Sequence, residues 1–66
     1  MTMTIKRHET KTHYISIETN GKRLSVMACP LLGGGLCGYP ESESVYPITD
    51  ELKAIDTFKR YIRNYE

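Results

Sequence analysis

The dipeptide Asn20-Gly21 constrains the fold of this chain more than any other feature, because alternating apolar and polar residues flank it on both sides. Asn-Gly in such a setting is typical of a two-residue type I′ hairpin turn. A two-residue turn places Thr19 opposite Lys22 and gives the hairpin one apolar face, since side chains alternate along a strand. That face carries Ile15, Ile17, Leu24 and Val26.

A third strand is predicted near the N-terminus. Met3 and Ile5 alternate with polar residues, and a short loop over residues 9–11 brings this segment beside the hairpin. In this arrangement Ile5 lies opposite Ile15, and both belong to the apolar face. The sequence therefore predicts three antiparallel strands, the first over about residues 2–8.

The C-terminal part of the chain has the pattern of an amphipathic helix. Thr49 or Asp50 supplies the N-cap, and the helix runs to about Asn64. Acidic residues near its start and basic residues near its end suit the helix dipole. The apolar residues recur at steps of three and four, so they form one stripe that covers the apolar face of the sheet. They are Leu52, Ala54, Ile55, Phe58, Tyr61, Ile62 and Tyr65.

These elements predict an α+β fold with a three-stranded antiparallel sheet, a long Gly/Pro-rich connection and one C-terminal helix packed on the apolar sheet face. The chain of 66 residues is expected to form a single domain. Its predicted parts are a β-meander over residues 1–29, the connection over 30–48 and the helix over 49–65. A short edge strand over residues 44–46 is predicted within the connection.

The small size of the chain raises the question of a partner chain. A domain of this length buries only about 60% of its unfolded surface, so its own core gives marginal stability. The chain has five Tyr, one Phe and no Trp. Tyr is favoured at interfaces because it combines apolar area with a polar tip. A homodimer and a monomer both remain open at this point.

Composition and charge weigh against several classes of protein. No run reaches the roughly 20 apolar residues of a membrane-spanning helix, and residues 1–6 lack the apolar core of a signal peptide. The chain is therefore predicted to be cytoplasmic, without membrane contact, and with Cys29 and Cys37 as free thiols. The net charge is +1, and residues 30–51 contain four acidic residues and no basic one. This balance does not favour strong nonspecific attraction to nucleic acid.

The segment most informative about function is residues 29–40, where three consecutive glycines lie between leucines. Glycine is usually kept where the backbone turns left-handed or approaches another group closely. Leucines exposed together on such a loop form a protein-binding patch. We therefore predict a non-enzymatic interaction protein, of the kind found among the inhibitors and accessory proteins of phages and mobile elements. Its predicted partner-binding residues are Leu31, Leu32, Gly33, Gly34, Gly35, Leu36, Tyr39 and Tyr46.

Two other functions are consistent with the sequence. One is a nucleic-acid-binding module, in which a sheet face and the basic face of the helix contact bases and phosphates. The other is an oligomer that captures a small anion, such as a nucleotide, with successive backbone N–H groups at residues 33–35. The residues predicted for nucleic-acid binding are Tyr14, Lys22, Arg23, Lys53, Arg60 and Arg63.

Residues suited to catalysis or metal binding are scarce. Glu41 and Glu43 lie two apart in a predicted loop, where carboxylates more often serve solubility than acid–base chemistry. Seven residues separate Cys29 from Cys37, whereas structural zinc sites typically have about two to four between paired ligands. The sequence therefore predicts no enzymatic activity, no metal site and no cofactor.

Overall fold

The computed structural model describes residues 2–66 as one antiparallel sheet with a helix on one of its faces. The elements are β1 (Met3–Glu9), β2 (His13–Thr19), β3 (Arg23–Gly33), β4 (Leu36–Cys37), β5 (Ser42–Pro47), a 3-10 turn (Ile48–Asp50) and α1 (Glu51–Tyr65). The strands lie in the order β1–β2–β3, and both β4 and β5 pair with β3. This arrangement confirms the predicted α+β class and the C-terminal helix.

The sheet contains five strands rather than the three that the sequence predicts. β3 is eleven residues long; its first part pairs with β5 and its last part with β4. The segment over residues 30–48, predicted as a connection, thus supplies two further strands. The physical reason is that a long β3 has backbone N–H and C=O groups along its outer edge that need partners. The edge strand predicted over residues 44–46 forms the middle of β5.

The turn between β2 and β3 is longer than the predicted two-residue turn. Thr19 pairs with Leu24 rather than with Lys22. The side-chain oxygen of Asn20 accepts hydrogen bonds from the backbone N–H groups of Lys22 and Arg23, at 2.9 and 3.0 Å. A type I′ turn needs a positive φ at both central residues, and Asn20 does not have one. The register therefore differs from the prediction by two residues, which leaves every side chain on its predicted face.

The core lies between α1 and the strands β2, β3 and β5. Alternate residues of β2 and β3 face the helix and pack against its buried residues Ala54 and Phe58. The hairpin and the helix thus form the core that the apolar pattern predicts. The buried apolar residues are Ile15, Ile17, Leu24, Val26, Ala28, Ala54 and Phe58.

Three residues predicted to face the core, Met3, Ile5 and Leu52, are exposed instead. A β-bulge at Ile5 interrupts the register of β1, and all seven residues of β1 are exposed because α1 packs on the other strands. Leu52 lies about 120° around the helix from Phe58, and 83% of its surface is exposed. The prediction was wrong at these positions because alternation along a strand does not show how far a helix reaches across the sheet.

A ladder of three hydroxyl pairs joins β5 to α1. The pairs are Ser42–Tyr65, Ser44–Tyr61 and Tyr46–Thr57, with oxygen–oxygen distances of 2.8, 2.7 and 2.6 Å. Two residues of a strand rise about 6.6 Å and four residues of a helix rise about 6.0 Å. The spacing of the hydroxyls along β5 therefore matches the spacing of their partners along α1. The three hydrogen bonds hold β5 against the helix.

Candidate functional site

The glycine-rich segment forms a hairpin at the end of β3. β4 pairs with the last residues of β3, and Gly33 lies opposite Leu36. The two residues between them, Gly34 and Gly35, have φ of +62° and +82°. A two-residue hairpin turn of type I′ requires a positive φ at both positions, which glycine adopts without strain. We call residues 30–39 the finger.

One backbone hydrogen bond attaches the base of the finger to the sheet, and another joins the two sides of the finger at its base. The N–H of Leu31 donates to the carbonyl oxygen of Thr12 at 2.9 Å. The N–H of Gly38 donates to the carbonyl oxygen of Pro30 at 2.8 Å. A Cβ at Gly38 would lie 3.1 Å from Cγ of Pro30 and 3.6 Å from the methyl carbons of Leu32. The finger is therefore ordered by contacts within the chain itself.

A second set of contacts holds the chain where it returns from the finger to β5. The N–H of Glu41 donates to the carbonyl oxygen of Ala28 at 2.8 Å. The Glu41 carboxylate lies 3.2 Å from Nε2 of His13, close enough for an ion pair but without the geometry of a hydrogen bond. The His13 ring stacks on that of Tyr65, with ring centroids 3.9 Å apart. Sequence reasoning missed these supports because the residues are distant along the chain and form no motif.

The finger carries the exposed apolar surface of the candidate site. Leu32, Leu36 and Tyr39 have 65%, 66% and 93% of their surface exposed. The chain between Arg23 and Glu41 contains no charged residue, so the finger can enter an apolar groove without desolvating a charge of its own. Apolar residues grouped on one exposed element are typical of an interaction site.

The structure brings most of the predicted partner-binding residues together in the finger. The exception is Tyr46, which lies in β5, packs against the core and places its hydroxyl 2.6 Å from Oγ1 of Thr57. Tyr46 therefore supports the packing of α1 on the sheet. The predicted residues that do lie in the finger are Leu31, Leu32, Gly33, Gly34, Gly35, Leu36 and Tyr39.

The residues predicted for nucleic-acid binding lie on two opposite sides of the molecule. Tyr14 and Arg23 are on the sheet face away from α1, which we call the open face, and Lys22 is in the adjoining turn. The other residues of this set are exposed on α1, in the second layer of the fold. The two groups therefore do not form one continuous surface. The residues on α1 are Lys53, Arg60 and Arg63.

The three consecutive glycines lie at the tip of the finger rather than at the start of a helix. Loops that bind anions usually combine backbone N–H groups with a positive side chain or a helix N-terminus. Residues 24–40 supply neither of these. The observed conformation of the glycines is explained by the hairpin turn that they form.

The two cysteines are free thiols in different surroundings. Cys37 is exposed on the finger, whereas Cys29 is half-buried on the open face opposite Tyr14. Burial raises the pKa of the Cys29 thiol, and the nearby Cys37 adds to this effect. The carboxylates of Glu18 and Glu43 raise the same pKa further. Cys29 therefore stays in its neutral form to a higher pH than an ordinary cysteine.

Within residues 2–66, no helix combines the length and the apolar character needed to cross a membrane. In the same part of the chain, no three His, Cys, Asp or Glu side chains converge where they could hold a metal ion.

Comparison with protein-family models, with curated proteins and with solved structures found no significant match in any of the three.

Proposed function

We propose that this chain is a non-enzymatic interaction protein that inserts its finger into an apolar groove of a protein partner. The observation that carries the proposal is the ordered hairpin on which Leu32 and Leu36 are about two-thirds exposed. Burying one leucine contributes about 1.5–3 kcal/mol, and a hairpin that is already ordered loses little entropy on binding. Glu41, which follows the finger and is exposed, favours a groove with a basic residue at its rim.

The proposed action suits an inhibitor or accessory protein of a phage or mobile element. Occupying a groove on a partner blocks or reshapes that partner without any catalytic residue of the inhibitor. We also propose the cytoplasm as the compartment, because the exposed Cys37 on the finger stays a free thiol in a reducing environment.

Replacing the exposed leucines by aspartate tests the proposal. We expect Leu32→Asp and Leu36→Asp each to weaken partner binding by about 10- to 150-fold, which corresponds to the lost burial of one leucine. The introduced carboxylate would also have to be desolvated in the groove. The partner is first identified by cross-linking in an extract of the source cells, and its affinity is then measured by calorimetry with purified proteins.

Leu52→Asp is the matched control for these two variants. Leu52 is also an exposed leucine, but it lies in the first turn of α1, at the end of the sheet away from the finger. We expect this variant to bind as the unmodified chain does. If both finger variants bind at full strength, the finger is not the interface.

A further inference from the structure

The open face carries a row of four neighbouring side chains with opposite charges at its two ends. Arg7 of β1 pairs with Ser16 of β2, and Glu43 of β5 pairs with Met27 of β3. Ser16 and Met27 pair with each other in the middle of the row. The two end residues are exposed, whereas Ser16 is buried and Met27 half-buried. This row is thus positive at one end, negative at the other and uncharged between them.

The two charges of this row do not pair within one chain. Arg7 and Glu43 are separated by three strand spacings of about 4.8 Å, or about 14 Å in all. Within residues 2–66, the close contacts between acidic and basic side chains involve His13 with Glu41 and Lys53 with Asp50. Both ends of the row are therefore available to a second molecule.

Two orientations place copies of the open face symmetrically against each other. With a two-fold axis perpendicular to the strands and in the plane of the interface, Arg7 of each copy meets Arg7 of the other, and like charges repel. With the axis parallel to the strands, Arg7 of each copy meets Glu43 of the other, so the interface has an ion pair at both ends. We infer that a second copy of this chain packs on the open face about the axis parallel to the strands.

Two further pairs of side chains on the open face suit the same orientation. Tyr14 pairs with Cys29 across β2 and β3, so Tyr14 of each copy lies over Cys29 of the other and makes an aromatic–sulfur contact. Glu18 pairs with Ser25 in the same way, so each carboxylate faces a hydroxyl that can donate to it. All four of these side chains are half-buried before association, which limits the further desolvation that association requires.

The area of the open face predicts a weak dimer. A strand of seven residues is about 23 Å long, and four strands are about 19 Å wide, which gives roughly 440 Å² per copy. Stable interfaces bury about 1,200–2,000 Å² in total, so we expect dimers only at high protein concentration. The two sheets pack as an aligned sandwich. The finger takes no part in this row of charges, so the inference does not rest on the proposed function.

Sedimentation equilibrium of the full chain over a concentration series tests the inference. We expect Arg7→Glu and Glu43→Arg each to raise the dissociation constant of the dimer about tenfold or more, because like charges then meet at both ends of the interface. The double variant R7E/E43R exchanges the two charges, and we expect its dissociation constant to lie within about threefold of the unmodified value. A purely structural role of either residue would not produce this restoration.

Arg60→Glu is the matched control, because it reverses an exposed charge on α1; we expect it to leave the dissociation constant unchanged. Circular dichroism checks that each variant folds. If Arg7→Glu or Glu43→Arg unfolds β1, the neutral variants Arg7→Gln and Glu43→Gln are measured in its place.

Three results would overturn the inference. They are a chain that stays monomeric at every concentration, a double variant weaker than both single ones, and a dimer abolished by Leu36→Asp.

Discussion

At the scale of single residues, Cys29 shows how burial controls the chemistry of a thiol. The thiolate is the reactive form, so a thiol whose pKa is raised reacts slowly at neutral pH. Burial raises the pKa of the Cys29 thiol, and the charges around it add to this effect. Cys37 is exposed on the finger, so a reagent reaches it without any opening of the sheet.

We predict that iodoacetamide modifies Cys37 faster than Cys29 at neutral pH. The rate at Cys29 rises with pH and continues to rise beyond the range of an ordinary cysteine, because its raised pKa delays formation of the thiolate. A time course followed by peptide mass spectrometry measures both rates, and Cys29→Ser and Cys37→Ser assign them. Equal rates at the two positions would contradict the prediction.

At the scale of elements, the hydroxyl ladder explains how a polar strand is held against a helix. β5 presents the hydroxyls of Ser42, Ser44 and Tyr46 at every second residue, and α1 presents a partner at every fourth. Because the rises of the two elements match closely, three hydrogen bonds form along one line. The ladder thus replaces part of the apolar contact that an edge strand usually makes with a helix.

We predict that Thr57→Val lowers the free energy of unfolding by about 1–2 kcal/mol. Thr57 is buried, and the hydroxyl of Tyr46 loses its partner at 2.6 Å. Tyr46→Phe has a similar effect, and the double variant loses less than the sum, with a coupling of about 1 kcal/mol. Denaturant unfolding measures the cycle, and the exposed Tyr39→Phe is the control. Losses that simply add would show that the two hydroxyls do not interact.

The hairpin and the helix could be predicted because their signals are local. The dipeptide Asn20-Gly21 marks a turn, and apolar residues at steps of three and four mark the helix. The length of the turn could not be predicted, because it depends on the side chain of Asn20 capping two backbone N–H groups. A shift of the register by two residues leaves each side chain on the same face of the sheet, so the alternating pattern does not reveal it.

Most of β5 and the hairpin form of the finger could not be predicted from the pattern. Residues 42–47 face the helix with serines and one tyrosine, so the apolar alternation that marks a strand is weak there. Glycines 33–35 permit many backbone conformations, and only the pairing of β4 with β3 selects one of them. The apolar composition of the segment was informative about an exposed patch, but not about its shape.

At the scale of the whole molecule, the core and the candidate site occupy different parts of the chain. α1 packs on β2, β3 and β5, and the finger continues past Ala28, the last residue of β3 that pairs with β5. The molecule is flat, with extents of 34 × 26 × 16 Å. Changes in the finger should therefore affect binding without affecting the core.

We predict that replacing residues 31–37 by Asn-Gly leaves the fold intact. The buried apolar residues all lie outside this segment, and shortening a loop changes its closure entropy only slightly. The free energy of unfolding should change by less than about 1 kcal/mol, while partner binding is lost. Denaturant unfolding and the calorimetric binding assay measure the two effects. Loss of cooperative unfolding would show that the finger is part of the folded core.

The exposure of β1 has a consequence for how the molecule opens. β1 is attached by its pairing with β2, which a bulge interrupts at Ile5, and all seven of its residues are exposed. Such a strand can separate while the core stays closed, so we expect the molecule to open in two stages of different free energy. Amide protons shared by β1 and β2 exchange with solvent through the first stage. Those in the hydrogen bonds between β2 and β3 exchange only when the whole molecule unfolds. The exchange rates of the first set therefore report how firmly β1 is attached, and those of the second set report the stability of the core.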